Sequence, residues 1–137
     1  MMRYVLALDF GASSGRAMLA GFDGSRITLQ EVHRFANEPV SKDGRLYWNV
    51  PQLMQALEQG LQAGYAIAPY ESIAIDTWGV DYGMLGADGT LLELPRHYRD
   101  GRTDGILQKA EQLLPAAELY RRTGTQVMEI NTLFQLL

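Results

Sequence analysis

Two short apolar runs in this chain each stop on an aspartate. The first is Tyr4-Val5-Leu6-Ala7-Leu8, closed by Asp9, and the second is Ile73-Ala74-Ile75, closed by Asp76. Runs this short and this apolar read as strands buried on both faces. An acid at the end of such a strand sits at the sheet edge, where ligands bind in open α/β sheets. Between the two runs lies one amphipathic pattern, with Leu53, Leu57 and Leu61 at spacing four and Met54 and Tyr65 beside them. Asn49 caps it and Pro51 stands in its first turn, so a helix is expected to about residue 66, ended by Pro69.

The first strand is followed by Gly11-Ala12-Ser13-Ser14-Gly15, which predicts a tight turn. A second strand covers residues 16–22, and Asp23-Gly24-Ser25 is a hairpin signal. A third covers residues 26–35, alternating Ile27, Leu29, Glu31-Val32, His33 and Phe35 with one side toward solvent. Residues 36–46, with Pro39 and Lys42-Asp43-Gly44, read as a loop. Residues 72–76 form a fourth strand, and residues 80–85 a further one before Asp88-Gly89. Beyond Leu92 the chain is polar. Thr103 or Asp104 caps a helix over residues 105–113, Pro115 opens another to about residue 122, and a last helix starts near Asn131.

Strands joined by short turns are antiparallel neighbours, and a strand returning after a helix lies parallel to the first. The expected spatial order is 3-2-1-4, a mixed α/β sheet with helices on its faces. That is the ribonuclease H-like layout shared by the actin-like ATPases.

Composition narrows the chemistry. The chain has 137 residues, one domain's worth, and no cysteine, which removes disulfides, thiol catalysis and cysteine metal sites. Its net charge of −4 is a poor match for a nucleic-acid backbone. No apolar run reaches the roughly 20 residues of a membrane span, and the expected setting is cytoplasmic.

Three segments carry candidate chemistry. In Asp9-Phe10-Gly11-Ala12-Ser13-Ser14-Gly15-Arg16, small residues let backbone N–H groups approach an anion, Ser13 and Ser14 add donors, and Arg16 adds a fixed charge. Asp9 could hold magnesium, usually through water. No Gly-Lys-Ser/Thr is present, so this is not a P-loop. In Asp76-Thr77-Trp78-Gly79-Val80-Asp81-Tyr82, Trp78 offers a flat apolar face for a sugar ring and Gly79 a close backbone approach. In His97-Tyr98-Arg99-Asp100-Gly101-Arg102-Thr103-Asp104, mixed charge beside an aromatic ring suits a polyol. The competing explanations are a plain hairpin, a core tryptophan and a solvated loop. Neither His33 nor His97 has metal-ligand company.

Together these segments, with Glu31-Val32-His33-Arg34-Phe35, Tyr120-Arg121-Arg122-Thr123-Gly124-Thr125-Gln126 and Asn131-Thr132-Leu133-Phe134-Gln135-Leu136, resemble the N-terminal half of the FGGY carbohydrate kinases. The second and third segments are similar to the branch acting on rhamnulose. The resemblance implies two actin-like domains with ATP and sugar between them, and transfer of the γ-phosphoryl of ATP to L-rhamnulose or a similar ketose. It implies that Ala12, Ser13, Ser14, Gly15 and Arg16 contact phosphate and that Asp9 is associated with Mg2+. Gly79, with Trp78 beside it, then contacts the sugar, and Tyr98 lays its ring against the polyol. The family's catalytic base and adenosine pocket are expected beyond Leu137. On this reading residues 1–137 are the N-terminal domain alone, without its second domain and inactive by themselves. Two rivals are a ribonuclease H-like nuclease, with Asp9, Asp76 and Asp81 as its metal cluster, and a non-enzymatic sugar- or nucleotide-sensing module.

Overall fold

A computed structural model describes residues 2–137, which divide into two compact units. The first comprises residues up to Pro39 together with Asn49–Gly79; the second comprises Val40–Trp48 and Val80–Leu137.

The first unit is a four-stranded sheet packed under one helix. Its strands are β1 (Arg3–Phe10), β2 (Ser14–Phe22), β3 (Ile27–Ala36) and, later in the chain, Ser72–Asp76; its helix is α1 (Val50–Ile67). The second unit contains the hairpin β4 (Val40–Lys42) and β5 (Arg45–Tyr47), a 3-10 turn at Gly101–Thr103, and helices α2 (Ile106–Glu111), α3 (Ala116–Thr123) and α4 (Thr132–Gln135). With these counted, Ser72–Asp76 is β6, and the sheet order is β3-β2-β1-β6. β1 pairs antiparallel with β2 and parallel with β6, as the expected 3-2-1-4 order requires.

Alternation along β1 puts Leu6, Leu8 and Phe10 on one face, where they meet Ala17 and Leu19 of β2 in a buried core. Leu53, Leu57 and Leu61 of α1 pack onto that core, so the spacing-four stripe is the helix face the sheet buries. Asn49 caps the helix, accepting the backbone N–H of Gln52. Gly60 and Gly64 set how closely helix and sheet approach. A Cβ on Gly60 would lie 2.9 Å from the Ala17 methyl, and one on Gly64 would lie 2.7 Å from Leu6 Cδ1.

Burial on both faces does not hold for β1 or β6. Val5 is exposed on the face away from α1, and every residue of β6 is exposed, because no described element covers either surface. The β2–β3 register shifts between Ala17 and Met18: Ala17 opposes His33 while Met18 opposes Glu31, leaving Val32 as the extra residue of a bulge. Phe35 and Val32 pack against the core, whereas Ile27 and Leu29 are exposed.

The loop expected over residues 36–46 contains the β4–β5 hairpin. Asp43 and Gly44 both take positive φ, 51° and 72°, the geometry of a tight two-residue hairpin turn. The strand expected over residues 80–85 does not form; Leu85 makes only an isolated bridge to Leu91. Neither Thr103 nor Asp104 caps α2. Asp100 caps the 3-10 turn instead, and Gly105, at φ 73°, precedes the helix. Among the described residues no helix is long and apolar enough to cross a membrane.

Candidate functional site

In the first unit, β1 and β6 run parallel and Asp9 stands opposite Asp76 in the register. Both carboxylates are therefore at the carboxyl ends of neighbouring strands, on one face. On the other side of β1, Asp9 opposes Arg16 of β2, whose Nε donates to Asp9 Oδ2 at 2.9 Å. The row Asp76, Asp9, Arg16 thus crosses three adjacent strands. Both members of the Asp9–Arg16 pair are nearly half exposed, at 41% and 47% of their side chains. The pair is open to ligands and contributes little to stability.

The turn from Gly11 to Ser13 joins these strands and is held from β3. Asn37, just past the end of that strand, donates its side-chain Nδ2–H to the Gly11 carbonyl at 2.8 Å and its backbone N–H to the Ser13 carbonyl at 3.0 Å. Asn37 is buried. Sequence reasoning missed it because nothing local marks a loop asparagine as the clamp of a turn 26 residues earlier. Gly11 and Gly15 are required sterically: a Cβ on Gly11 would lie 2.6 Å from the Ser14 carbonyl oxygen, and one on Gly15 would lie 2.1 Å from the Phe35 ring. Ala12 and Ser14 are half-buried, while Ser13 and Arg16 are exposed.

After Asp76, Trp78 is half-buried and packs against the first unit's core. Gly79 is exposed, with φ 62° and open space where a Cβ would stand. Its backbone is therefore accessible, and its left-handed conformation is what glycine supplies.

Tyr98 belongs to the second unit. Its ring stacks on His97, with centroids 4.6 Å apart, and Trp48 lies 4.0 Å from the other ring of that pair, His97. Asp81 organises this cluster. Its Oδ2 accepts the Tyr98 backbone N–H at 3.0 Å and the Trp48 indole N–H, and its Oδ1 accepts Gln135 Nε2–H at 2.8 Å. Asp81 is thus an acceptor for three donors, and among the described residues no group of three or more His, Asp or Glu is placed to hold a metal ion. The nuclease cluster of Asp9, Asp76 and Asp81 does not form.

Asp100 is the second organiser, only 4% exposed. It accepts the Leu46 backbone N–H at 2.9 Å and the Arg102 backbone N–H at 3.1 Å. Burial works to raise its pKa, but those two N–H groups and the nearby Arg45 and Arg96 outweigh it and leave Asp100 below the usual carboxylate range. His97 is pushed below its ordinary value by burial, with Arg99 adding to the effect and Asp81 opposing it.

Both shifts make acid destabilising. A depressed folded-state pKa means that the unfolded chain binds protons more readily, so the stabilisation is complete above the unfolded value and is lost as pH falls. His97 gives this loss below about pH 6.5 and Asp100 adds to it below about pH 4. The urea midpoint of the second unit, followed by amide exchange, should fall on acidification from neutral pH, and His97→Gln should remove the first part of that decline.

No family model matches the chain. Across 141 residues, 98% of this chain, it is 47% identical to a rhamnulokinase from Klebsiella pneumoniae strain 342. A rhamnulokinase from Yersinia pestis bv. Antiqua is 42% identical over 138 residues, 96% of this chain. The chain is homologous to the N-terminal part of the rhamnulokinases. It spans 28% of the length of these curated relatives. Among solved structures, a gluconate kinase from Lactobacillus acidophilus superimposes with a TM-score of 0.79 at 17% identity, over 99% of this chain and 28% of that one. A xylulose kinase from the same organism gives 0.77 at 18% identity, over 98% of this chain and 27% of that one. At such identities the likeness is one of fold: the actin-like ATPase fold of sugar kinases.

Proposed function

We propose that this chain is the N-terminal part of a cytoplasmic rhamnulokinase and supplies the sugar- and phosphate-facing side of its active site. The observation that carries the reading is 47% identity over 98% of the chain. In the proposed reaction the 1-hydroxyl oxygen of L-rhamnulose bonds to the γ-phosphorus of ATP. The bond from that phosphorus to the β–γ bridging oxygen breaks, ADP leaves, and the hydroxyl proton passes to a base expected in the second domain. Such transfers depend on positioning and charge stabilisation more than on covalent chemistry.

The geometry supports the following roles. Backbone N–H groups of the Ala12–Ser14 turn and the exposed Arg16 guanidinium receive phosphate oxygens. Mg2+ takes one or two carboxylates with its waters and phosphates, and the adjacent strand-end pair Asp9 and Asp76 fits that need; the ion would neutralise charge on the phosphates. The exposed Gly79 backbone meets a sugar hydroxyl, with Trp78 as a flanking ring.

A chimera tests the reading. This chain would replace the matching N-terminal stretch of the Klebsiella rhamnulokinase, and ATP consumption would be measured with L-rhamnulose, xylulose and gluconate. Turnover preferring L-rhamnulose is expected; a folded chimera without it would overturn the proposal. In the same chimera Trp78→Ala should raise KM for L-rhamnulose about tenfold, near 1.4 kcal/mol, and KM for ATP much less. Equal increases would assign Trp78 to packing alone.

A further inference from the structure

A turn as rich in small residues as Gly11 to Ser14 does not fix the direction of its own peptide groups. Here the direction is imposed from β3. Asn37 lies just beyond that strand, is 3% exposed, and meets the turn twice. Its side-chain Nδ2–H donates to the Gly11 carbonyl at 2.8 Å, and its backbone N–H donates to the Ser13 carbonyl at 3.0 Å. Facing a carbonyl, only the NH2 end of the amide can bond, so the side chain has one useful orientation. Asn37 is itself anchored. Two residues earlier, Phe35 packs against the core, opposes Gly15 in the β2–β3 register and lies 5.4 Å from Phe10, centroid to centroid.

These two bonds dictate where the neighbouring donors point. No cis peptide occurs among the described residues, and across a trans peptide the C=O and the next N–H point in opposite directions. With the Gly11 carbonyl turned to Asn37, the Ala12 N–H points away from it. With the Ser13 carbonyl turned to Asn37, so does the Ser14 N–H. The backbone bond has a second effect. It flanks the Ser14–Ala36 pair and makes that pair a non-hydrogen-bonded one, so the Ser14 N–H is not given to β3.

We propose that Asn37 is a positioning residue for ATP: it holds the Ala12 and Ser14 N–H groups pointing away from β3, so that both are presented to phosphate oxygens. This rests on the reading that the turn receives phosphate. The residue type matters. Alanine offers the Gly11 carbonyl nothing, and aspartate has the right shape but, when ionised, carries only acceptors. Either substitution keeps the backbone bond to Ser13. The peptide group between Ser13 and Ser14 therefore stays fixed, and the one between Gly11 and Ala12 is released. Donors held in advance bind at no cost in ordering, so their release weakens ATP. Sugar contacts, proposed for other residues, are not touched.

The chimera with the Klebsiella rhamnulokinase tests this through its two KM values. Asn37→Ala should raise KM for ATP about tenfold and leave KM for L-rhamnulose nearly unchanged, the mirror image of Trp78→Ala. Asn37→Asp, whose charge also repels phosphate, should raise KM for ATP further. A merely structural role would loosen both substrates alike, so equal increases overturn the proposal. An unaltered chimera that folds without turnover overturns the reading and the proposal with it. An active one whose folded Asn37 variants keep its KM for ATP overturns the proposal alone. Should neither variant fold, the amide proton resonances of the unaltered chimera decide. ATP with Mg2+ should shift those of Ala12 and Ser14; if both stay in place, the proposal falls.

Discussion

Asp100→Ala should unfold the second unit while leaving the first intact. The carboxylate is buried and ties together two separate stretches: β5, through the Leu46 N–H and the Arg45 guanidinium at 3.6 Å, and the 3-10 turn, through the Arg102 N–H. Hydrogen bonds to a charged group are worth about 1.5–3 kcal/mol each, and alanine leaves two backbone N–H groups without their acceptor. The loss is about 3–5 kcal/mol, comparable with the whole stability of a small unit with little regular structure. Amide exchange resolves the two units. Leu46, Trp48 and His97 should lose protection, while Leu6, Leu8 and Leu19 keep theirs. Asp100→Asn, which retains one acceptor oxygen, should recover about half of the loss. Unchanged protection at Leu46 would show that the second unit is held by something else.

Asp9→Asn should have the largest effect on turnover. In the chimera with the Klebsiella rhamnulokinase, kcat should fall about 100-fold or more, the scale for removing a preorganised charge at a reacting centre. The fold should hardly notice. The Asp9–Arg16 salt bridge is exposed, and such pairs contribute about 0–1 kcal/mol. A stable variant with a large loss in kcat separates chemistry from structure; near-normal turnover would remove Asp9 from its proposed role. Arg16→Ala provides the contrast, since losing the cation proposed to receive phosphate should raise KM for ATP as well as lower kcat.

The parts of this molecule visible in the sequence are those with a period. Leu53, Leu57 and Leu61 announced α1, and Asn49 marked its start correctly. The apolar runs before Asp9 and Asp76 announced β1 and β6, and connection rules then gave the sheet order. The same rules could not give burial. Ile73 and Ile75 look like core residues in a one-dimensional reading, but burial depends on what else packs there. The β4–β5 hairpin escaped because three-residue strands show no alternation, although Asp43-Gly44 was a legible turn signal. The second unit was opaque for another reason. Asp81 joins Trp48, Tyr98 and Gln135, which lie 33, 17 and 54 residues from it, and no local pattern encodes such partners. Within the candidate site, the Gly11–Ser13 turn between two strands was legible, whereas its Asn37 clamp was not.

The single extra residue in β3 has a broader consequence. Side chains alternate with a period of two, so one inserted residue exchanges inside for outside along everything beyond it. Val32 therefore divides β3 into two stretches that answer to different surfaces. The stretch after it delivers Phe35 to Gly15 and Asn37 to the Gly11–Ser13 turn. The stretch before it turns Ile27 and Leu29 to the face that α1 does not touch. Deleting Val32 would restore a regular ladder at the cost of one of these duties: either the turn loses its clamp, or two large apolar side chains change sides. The bulge works like a gear between two faces of one sheet, so the edge strand is under a stricter length constraint than its exposure suggests.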